Sequence, residues 1–286
     1  MTDTEALPEA PSTSGSVVSA DGTVLAYRTL GTGAPLVICH GAFATSDDWI
    51  AVANALAATR TVYLYDRRGH GGSPTVSPDF AVDAEVDDLA AIVRLAGPDT
   101  AILGHSLGGG CALACAAREG LTGAVVVYEP RHSIVGPASG GHIPYVRELL
   151  AAGDLDGSVR AVLETVLGLP PFVVAEFAGS PLWARMLETV EAFPDELRFL
   201  DSLTWQPGDL AGFTGPSWEL IGELTPDLPA DHEGVLGSVV PGIRRVTVPG
   251  QSHFAYLSDP ALLARIVGEC LDASATTRDP SLSTAG

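Results

Sequence analysis

Ser106 stands between two glycines in Gly104-His105-Ser106-Leu107-Gly108. The short apolar run Thr100-Ala101-Ile102-Leu103 precedes it, and the small-residue stretch Cys111-Ala112-Leu113-Ala114-Cys115-Ala116-Ala117 follows. A strand that enters a helix through one sharp turn leaves its central residue strained, with the side chain exposed at the sheet's edge. Glycine at 104 and 108 removes side chains that would collide there. The N–H of Leu107, at the helix start, can face an anion with the helix dipole behind it. That pattern suits a nucleophilic serine attacking an acyl carbonyl. The plainer alternative is an ordinary strand–helix turn carrying a solvated serine.

Such a serine needs a base, an orienting acid and donors for the developing oxyanion. Of the seven histidines, His253 alone is placed after a strand and before the final helix, in Pro249-Gly250-Gln251-Ser252-His253-Phe254. The turn Cys39-His40-Gly41-Ala42-Phe43 follows the third strand, and its Ala42 N–H is the natural oxyanion partner of Leu107 N–H. His40 and Gly41 shape that turn and are not read as a base. No cofactor motif or metal-ligand spacing accompanies these residues, so the expected chemistry uses neither cofactor nor metal. The four cysteines, at 39, 111, 115 and 270, each sit inside an apolar strand or helix pattern and read as buried free thiols of a reducing cytoplasm.

These residues must be positioned by regular elements. Ser16–Ser19 and Thr23–Arg28 read as two strands joined by Ala20-Asp21-Gly22. Pro35–Cys39, the run before Ser106 and Ala124–Tyr128 read as buried strands, and Thr61–Tyr65, Ser217–Ile221 and Arg244–Val248 as further strands. Helices lie between them, the first from about Asp47 with Ser46 as cap, the last capped by Asp259 with Pro260 in its first turn. Strand–helix alternation implies an α/β fold: a mainly parallel sheet with helices on both faces. The expected organisation is a tail over 1–15, a core over 16–130 and 207–273, a helical lid over 131–206, and a polar tail over 274–286, both tails disordered. The lid's helical segments fall near 144–152, 157–168, 181–192 and 195–203, over the strand ends where ligands bind in such sheets.

Composition excludes several classes. Hydrophobic residues make up 46% of the 286 and charged residues 17%, as in a globular chain. The net charge is −20 and all 15 basic residues are arginine. So acidic a surface disfavours nucleic acid and anionic membranes as partners. No apolar run is long enough to span a bilayer, and the N-terminal stretch lacks the basic and apolar regions of a signal peptide.

Several motifs occur together and in order: Val37-Ile38-Cys39-His40-Gly41, Ser46 and Trp49, Asp66-Arg67-Arg68-Gly69-His70-Gly71-Gly72-Ser73, Gly104-His105-Ser106-Leu107-Gly108-Gly109, and Gly250-Gln251-Ser252-His253-Phe254. Together they resemble the α/β-hydrolase superfamily over about residues 16 to 273. The Asp66–Ser73 stretch reads as a tight turn pinned by side-chain hydrogen bonds. In that family the acid usually lies three residues after the glycine ending the seventh strand, where this chain has Thr225, which cannot carry a charge. Glu129, ending the sixth strand in Tyr128-Glu129-Pro130, is the preferred substitute, a placement that resembles that of haloalkane dehalogenases; Asp227 is the alternative. The resemblance implies a cofactor-free hydrolase of an ester, thioester or lactone of a small, largely apolar molecule, acting through an acyl-enzyme. Acyl transfer and haloperoxidase-type perhydrolysis use the same constellation, and a non-catalytic binding protein on the same fold is the rival from another class. Phe43, His105 and Arg131 are candidate substrate contacts.

Overall fold

The apolar runs become one eight-stranded sheet in the computed structural model, which describes residues 11–73, 82–225 and 234–278. Its strands are β1 (Ser12–Val18), β2 (Val24–Leu30), β3 (Ala34–Cys39), β4 (Arg60–Tyr65), β5 (Ala101–His105), β6 (Val125–Tyr128), β7 (Ser217–Gly222) and β8 (Arg244–Val248), in spatial order β1-β2-β4-β3-β5-β6-β7-β8. β1 and β2 pair antiparallel, β2 and β4 likewise, and every later pairing is parallel. The central strands β5 and β6 are covered on both faces, which is why their runs carry no polar alternation, whereas the edge strand β8 exposes Arg244, Arg245 and Thr247. Val37, Ile102, Val125 and Val127 face one core with α2 (Ala84–Ala96) and α3 (Leu107–Arg118). Leu36, Ile38, Leu103 and Val126 face the other, with α1 (Ile50–Leu56) and α11 (Pro260–Arg278), while the short α9 (Val235–Val239) precedes β8 and α10 (Ala255–Ser258) follows it. The chain thus belongs to the α/β class expected from the strand–helix alternation.

Between β6 and β7 the chain forms α4 (Ile143–Ala151), α5 (Leu155–Ala161), α6 (Pro171–Ala178), α7 (Pro181–Thr189) and α8 (Phe193–Ser202). α6 is one helix more than the sequence reading expected, because Pro171 at its first position pre-sets helical φ after an extended Pro170. The insertion is tied to the core by a buried ion pair, Glu196 Oε1 to Arg67 Nη1 at 2.7 Å. It reaches the carboxyl ends of the strands, where Phe193 stacks on Phe43 and Phe177 meets Phe254 edge-on.

Three boundaries differ from expectation. β1 takes in residues 12–15, assigned to the tail, because antiparallel pairing from Ser12 with Leu30 satisfies their backbone. α11 runs to Arg278, past the expected end at 273. The helix after β3 is capped by Thr45 rather than Ser46: Thr45 N donates to Asp48 Oδ2 at 2.8 Å in a capping box, and a 3₁₀ turn over Ser46–Trp49 precedes α1. Asp259 caps α11 as expected, accepting from Leu262 N at 3.0 Å. Residues 1–10 and 279–286 of the two expected tails lie outside the described residues.

The Asp66–Ser73 turn is pinned as its residues suggest. Asp66 accepts from Ser46 N at 2.8 Å and from Gly72 N at 2.9 Å. Arg67, fully buried, forks onto Glu85 at 2.6 and 3.1 Å, and Arg68 onto Asp88 at 2.7 Å through two nitrogens. Bidentate pairing offsets the desolvation that a buried guanidinium would otherwise suffer.

Candidate active site

Ser106 has no linker on either side: β5 ends at His105 and α3 begins at Leu107. The chain therefore reverses at Ser106 itself, with φ 52° and ψ −118°. A Cβ on Gly104 would lie 2.5 Å from Gly108 O, and one on Gly108 2.2 Å from Cys39 O, so neither position admits a side chain. The turn is held by Ser106 N donating to Tyr128 O, and by Ser106 O accepting from Gly109 N and Arg131 N, all at 2.9 Å. Left-handed backbone at a non-glycine residue costs about 1–3 kcal/mol and concentrates at functional sites. Besides Asp99, the described non-glycine residues with positive φ are Phe43, Ser106 and Glu129, all at this sheet edge.

Because β3, β5, β6, β7 and β8 run parallel, the loops leaving them share one edge. His253, after β8, places Nδ1 2.6 Å from Glu129 Oε2. A carboxylate only accepts, so the ring proton sits on Nδ1 and leaves Nε2 as a base. Glu129 is 1% exposed, and its other oxygen accepts from Gly222 N at 2.9 Å and from the Thr225 hydroxyl. Burial pushes its carboxyl up, but the His253 hydrogen bond and charge, the Thr225 hydroxyl and the Gly222 amide together hold it below the usual range. No hydrogen bond joins Ser106 to His253 among the described contacts; such bonds are often long before substrate binds.

The β3 loop lies against the serine, since a Cβ on Gly41 would be 3.0 Å from Ser106 Cβ. The N–H groups of Ala42 and Leu107 donate to no acceptor among the described residues and so remain available to an anion. Phe43 is 6% exposed, its ring stacked on Phe193 with centroids 4.7 Å apart. His40 is structural: Nδ1 bonds Gly41 O at 2.8 Å and Nε2 accepts from Arg67 N at 3.0 Å.

His105 is not a substrate contact. It points beneath the His253 loop, 2% exposed, with Nε2 bonded to His253 O at 3.0 Å and its ring 4.5 Å from that of His253. The cause is strand alternation, which turns the residue before Ser106 toward the buried side of the sheet edge. Burial, and then the His253 charge, pull its pKa well below the ordinary imidazole value, so it stays neutral. Tyr128, whose hydroxyl donates to Ser252 O, steadies the same loop. Arg131 is half-buried beside Ser106. Asp227, the alternative acid, lies outside the described residues. Thr225 is the residue whose contact sequence reasoning passed over: its hydroxyl bonds Glu129, the same carboxylate that contacts His253.

Residues 36–266 match the alpha/beta hydrolase family, and the chain belongs to it. A solved alpha/beta hydrolase from Sphaerobacter thermophilus is 30% identical, covers 90% of this chain and 99% of its own, and superposes with a TM-score of 0.80. The sn-1-specific diacylglycerol lipase ABHD11 of Mus musculus is 26% identical over 259 residues, 82% of this chain and 81% of that one. A non-heme haloperoxidase of Rhodococcus erythropolis is 38% identical over 106 residues, 36% of this chain and 39% of the haloperoxidase, so that match spans well under half of either protein. The chain is a hydrolase of this family.

Proposed function

We propose that the chain is a cofactor-free, metal-free serine hydrolase that cleaves an ester, thioester or lactone of a small, largely apolar molecule. The observation that carries this reading is the 2.6 Å contact between Glu129 and His253 at the sheet edge that also holds Ser106. Ser106 Oγ attacks the acyl carbonyl and passes its proton to His253 Nε2. The carbonyl oxygen becomes an oxyanion, bound by Ala42 and Leu107 N–H. Collapse expels the alcohol or thiol, which takes the proton from His253. Water then attacks the acyl-enzyme with His253 as base, releasing the acid and free Ser106. Glu129 holds the His253 tautomer and stabilises the imidazolium. The insertion from α4 to α8 acts as the lid, with Phe43 in its apolar wall. Four buried free cysteines suit the cytoplasm as its compartment.

Perhydrolysis is a second reading, favoured by the local similarity to a haloperoxidase. In it the acyl-enzyme is attacked by hydrogen peroxide instead of water, so a peracid assay separates the two. The test of the main reading is turnover of p-nitrophenyl acyl esters together with labelling by a fluorophosphonate. Ser106→Ala should lose both while unfolding at the wild-type temperature; losing a triad member costs on the order of a million-fold. Retained turnover in the folded variant would remove Ser106 as nucleophile. Wild-type protein that neither labels nor turns over would leave a binding protein on this fold.

A further inference from the structure

With 35 acidic residues against 15 arginines, partners for a cation are plentiful in this chain. Every other described arginine side chain lies within ion-pair distance of a carboxylate, save Arg244, which is exposed and lies over the Trp218 ring. Arg131 has neither a hydrogen bond nor an ion pair from its side chain to any described residue. It is half-buried, and burial pulls its pKa below the ordinary guanidinium value against the opposing pull of Glu129. Glu129, the carboxylate that opposes this shift, makes no ion pair or hydrogen bond with the Arg131 side chain; its oxygens accept from His253, Gly222 and Thr225 instead.

The position is as telling as the missing partner. Arg131 N donates to Ser106 O at 2.9 Å, so its backbone touches that of the nucleophile. A desolvated cation without a counter-charge is destabilising unless something supplies the anion. A guanidinium presents a planar fork matched to a carboxylate. We propose that Arg131 binds a carboxylate of the substrate, so that the preferred substrates are esters, thioesters or lactones whose apolar body ends in a carboxylate. This rests on the serine-hydrolase reading and narrows its substrate class. The net charge of −20 opposes the approach of any anion at long range. Selectivity must then come from the contact itself.

The test compares 4-nitrophenyl hydrogen adipate with 4-nitrophenyl methyl adipate, which differ in the carboxylate alone, on wild type, Arg131→Gln and Arg131→Lys. Wild type should prefer the anionic ester in kcat/KM. Arg131→Gln should lower the anionic-to-neutral ratio by about 10- to 100-fold, mainly through KM, as expected for losing a charge-assisted hydrogen bond. Arg131→Lys should restore part of it. Equal losses on both esters, or an unchanged ratio, would overturn the proposal, as would a wild type indifferent to the carboxylate. Arg131→Gln should unfold at or above the wild-type temperature, since it breaks no ion pair among the described residues; a fall of several degrees would make Arg131 structural and sink the idea. If wild type hydrolyses neither ester, the hydrolase reading fails instead. Adipate binding by calorimetry then decides this one: uptake by wild type and not by Arg131→Gln supports it, and no difference overturns it.

Discussion

Replacing Glu129 by glutamine changes one atom of a buried group and should nearly silence the enzyme. The carboxylate has three donors: His253 Nδ1–H at 2.6 Å on one oxygen, Gly222 N–H at 2.9 Å and the Thr225 hydroxyl on the other. In Glu129→Gln the amide oxygen must face Gly222, because a backbone N–H cannot become an acceptor. The amide NH2 then faces His253 Nδ1 and donates to it. The imidazole proton is forced onto Nε2, the nitrogen that should accept from Ser106. If Glu129 is the acid of the proposed triad, loss of its charge with the wrong tautomer costs about ten-thousand-fold in turnover. At about 1.36 kcal/mol per tenfold that is about 5.4 kcal/mol of transition-state stabilisation. Folding should survive, since Gly222 and Thr225 keep an acceptor. The assay is kcat on p-nitrophenyl acyl esters beside a melting curve, with Asp227→Asn expected to stay within tenfold of wild type. A Glu129→Gln enzyme within tenfold of wild type would refute the reasoning. If Asp227→Asn were the crippled variant, the acid would return to the seventh strand; two active variants would leave a Ser–His pair.

Thr225 positions Glu129, so Thr225→Val should lower kcat/KM by about 5- to 20-fold, a fraction of the value of a hydrogen bond to a charged group. Thr225→Ser should restore activity, and its failure to do so would reduce Thr225 to a packing residue. Stability should fall on acidification from about pH 6.5 to 4. His70, 1% exposed, has its pKa pulled by burial and the Arg67 charge down to about 4, whereas the unfolded imidazole protonates near 6.5. The unfolded chain therefore binds more protons in that window, and folding loses on the order of 3 kcal/mol from His70 by its lower end. His40 and His105 are shifted in the same direction, while Glu196, whose carboxyl is pushed up by burial, partly offsets them. Melting temperatures at pH 7 and pH 5 check this: His70→Asn should narrow the difference, and parallel curves for variant and wild type would contradict it.

The sequence alone determined whatever depends on neighbours along the chain. Unbroken apolar runs such as Pro35–Cys39 specify strands covered on both faces, because a polar side chain there would be buried without a partner. Glycines at 104 and 108 with Ser106 between them specify the reversal, because no other residue fits the close approach of Gly108 to Cys39 O. His253 could be chosen because a loop after the last parallel strand returns to the edge where Ser106 stands. Tertiary structure decided what depends on residues distant in sequence. Glu129 and His253 are 124 positions apart, and their contact requires the β5-β6-β7-β8 order together with a left-handed backbone at Glu129 that no glycine or asparagine announces. The register that sets His105 opposite Tyr128 also decides that His105 is buried beneath the His253 loop rather than open to substrate. Thr225, no acid itself, gained its place by donating to one, and Arg131 stood out only once the other arginines' partners were known. Strand and turn propensities act over a few residues, whereas a hydrogen bond between loops is set by strand order and register, to which no local pattern corresponds.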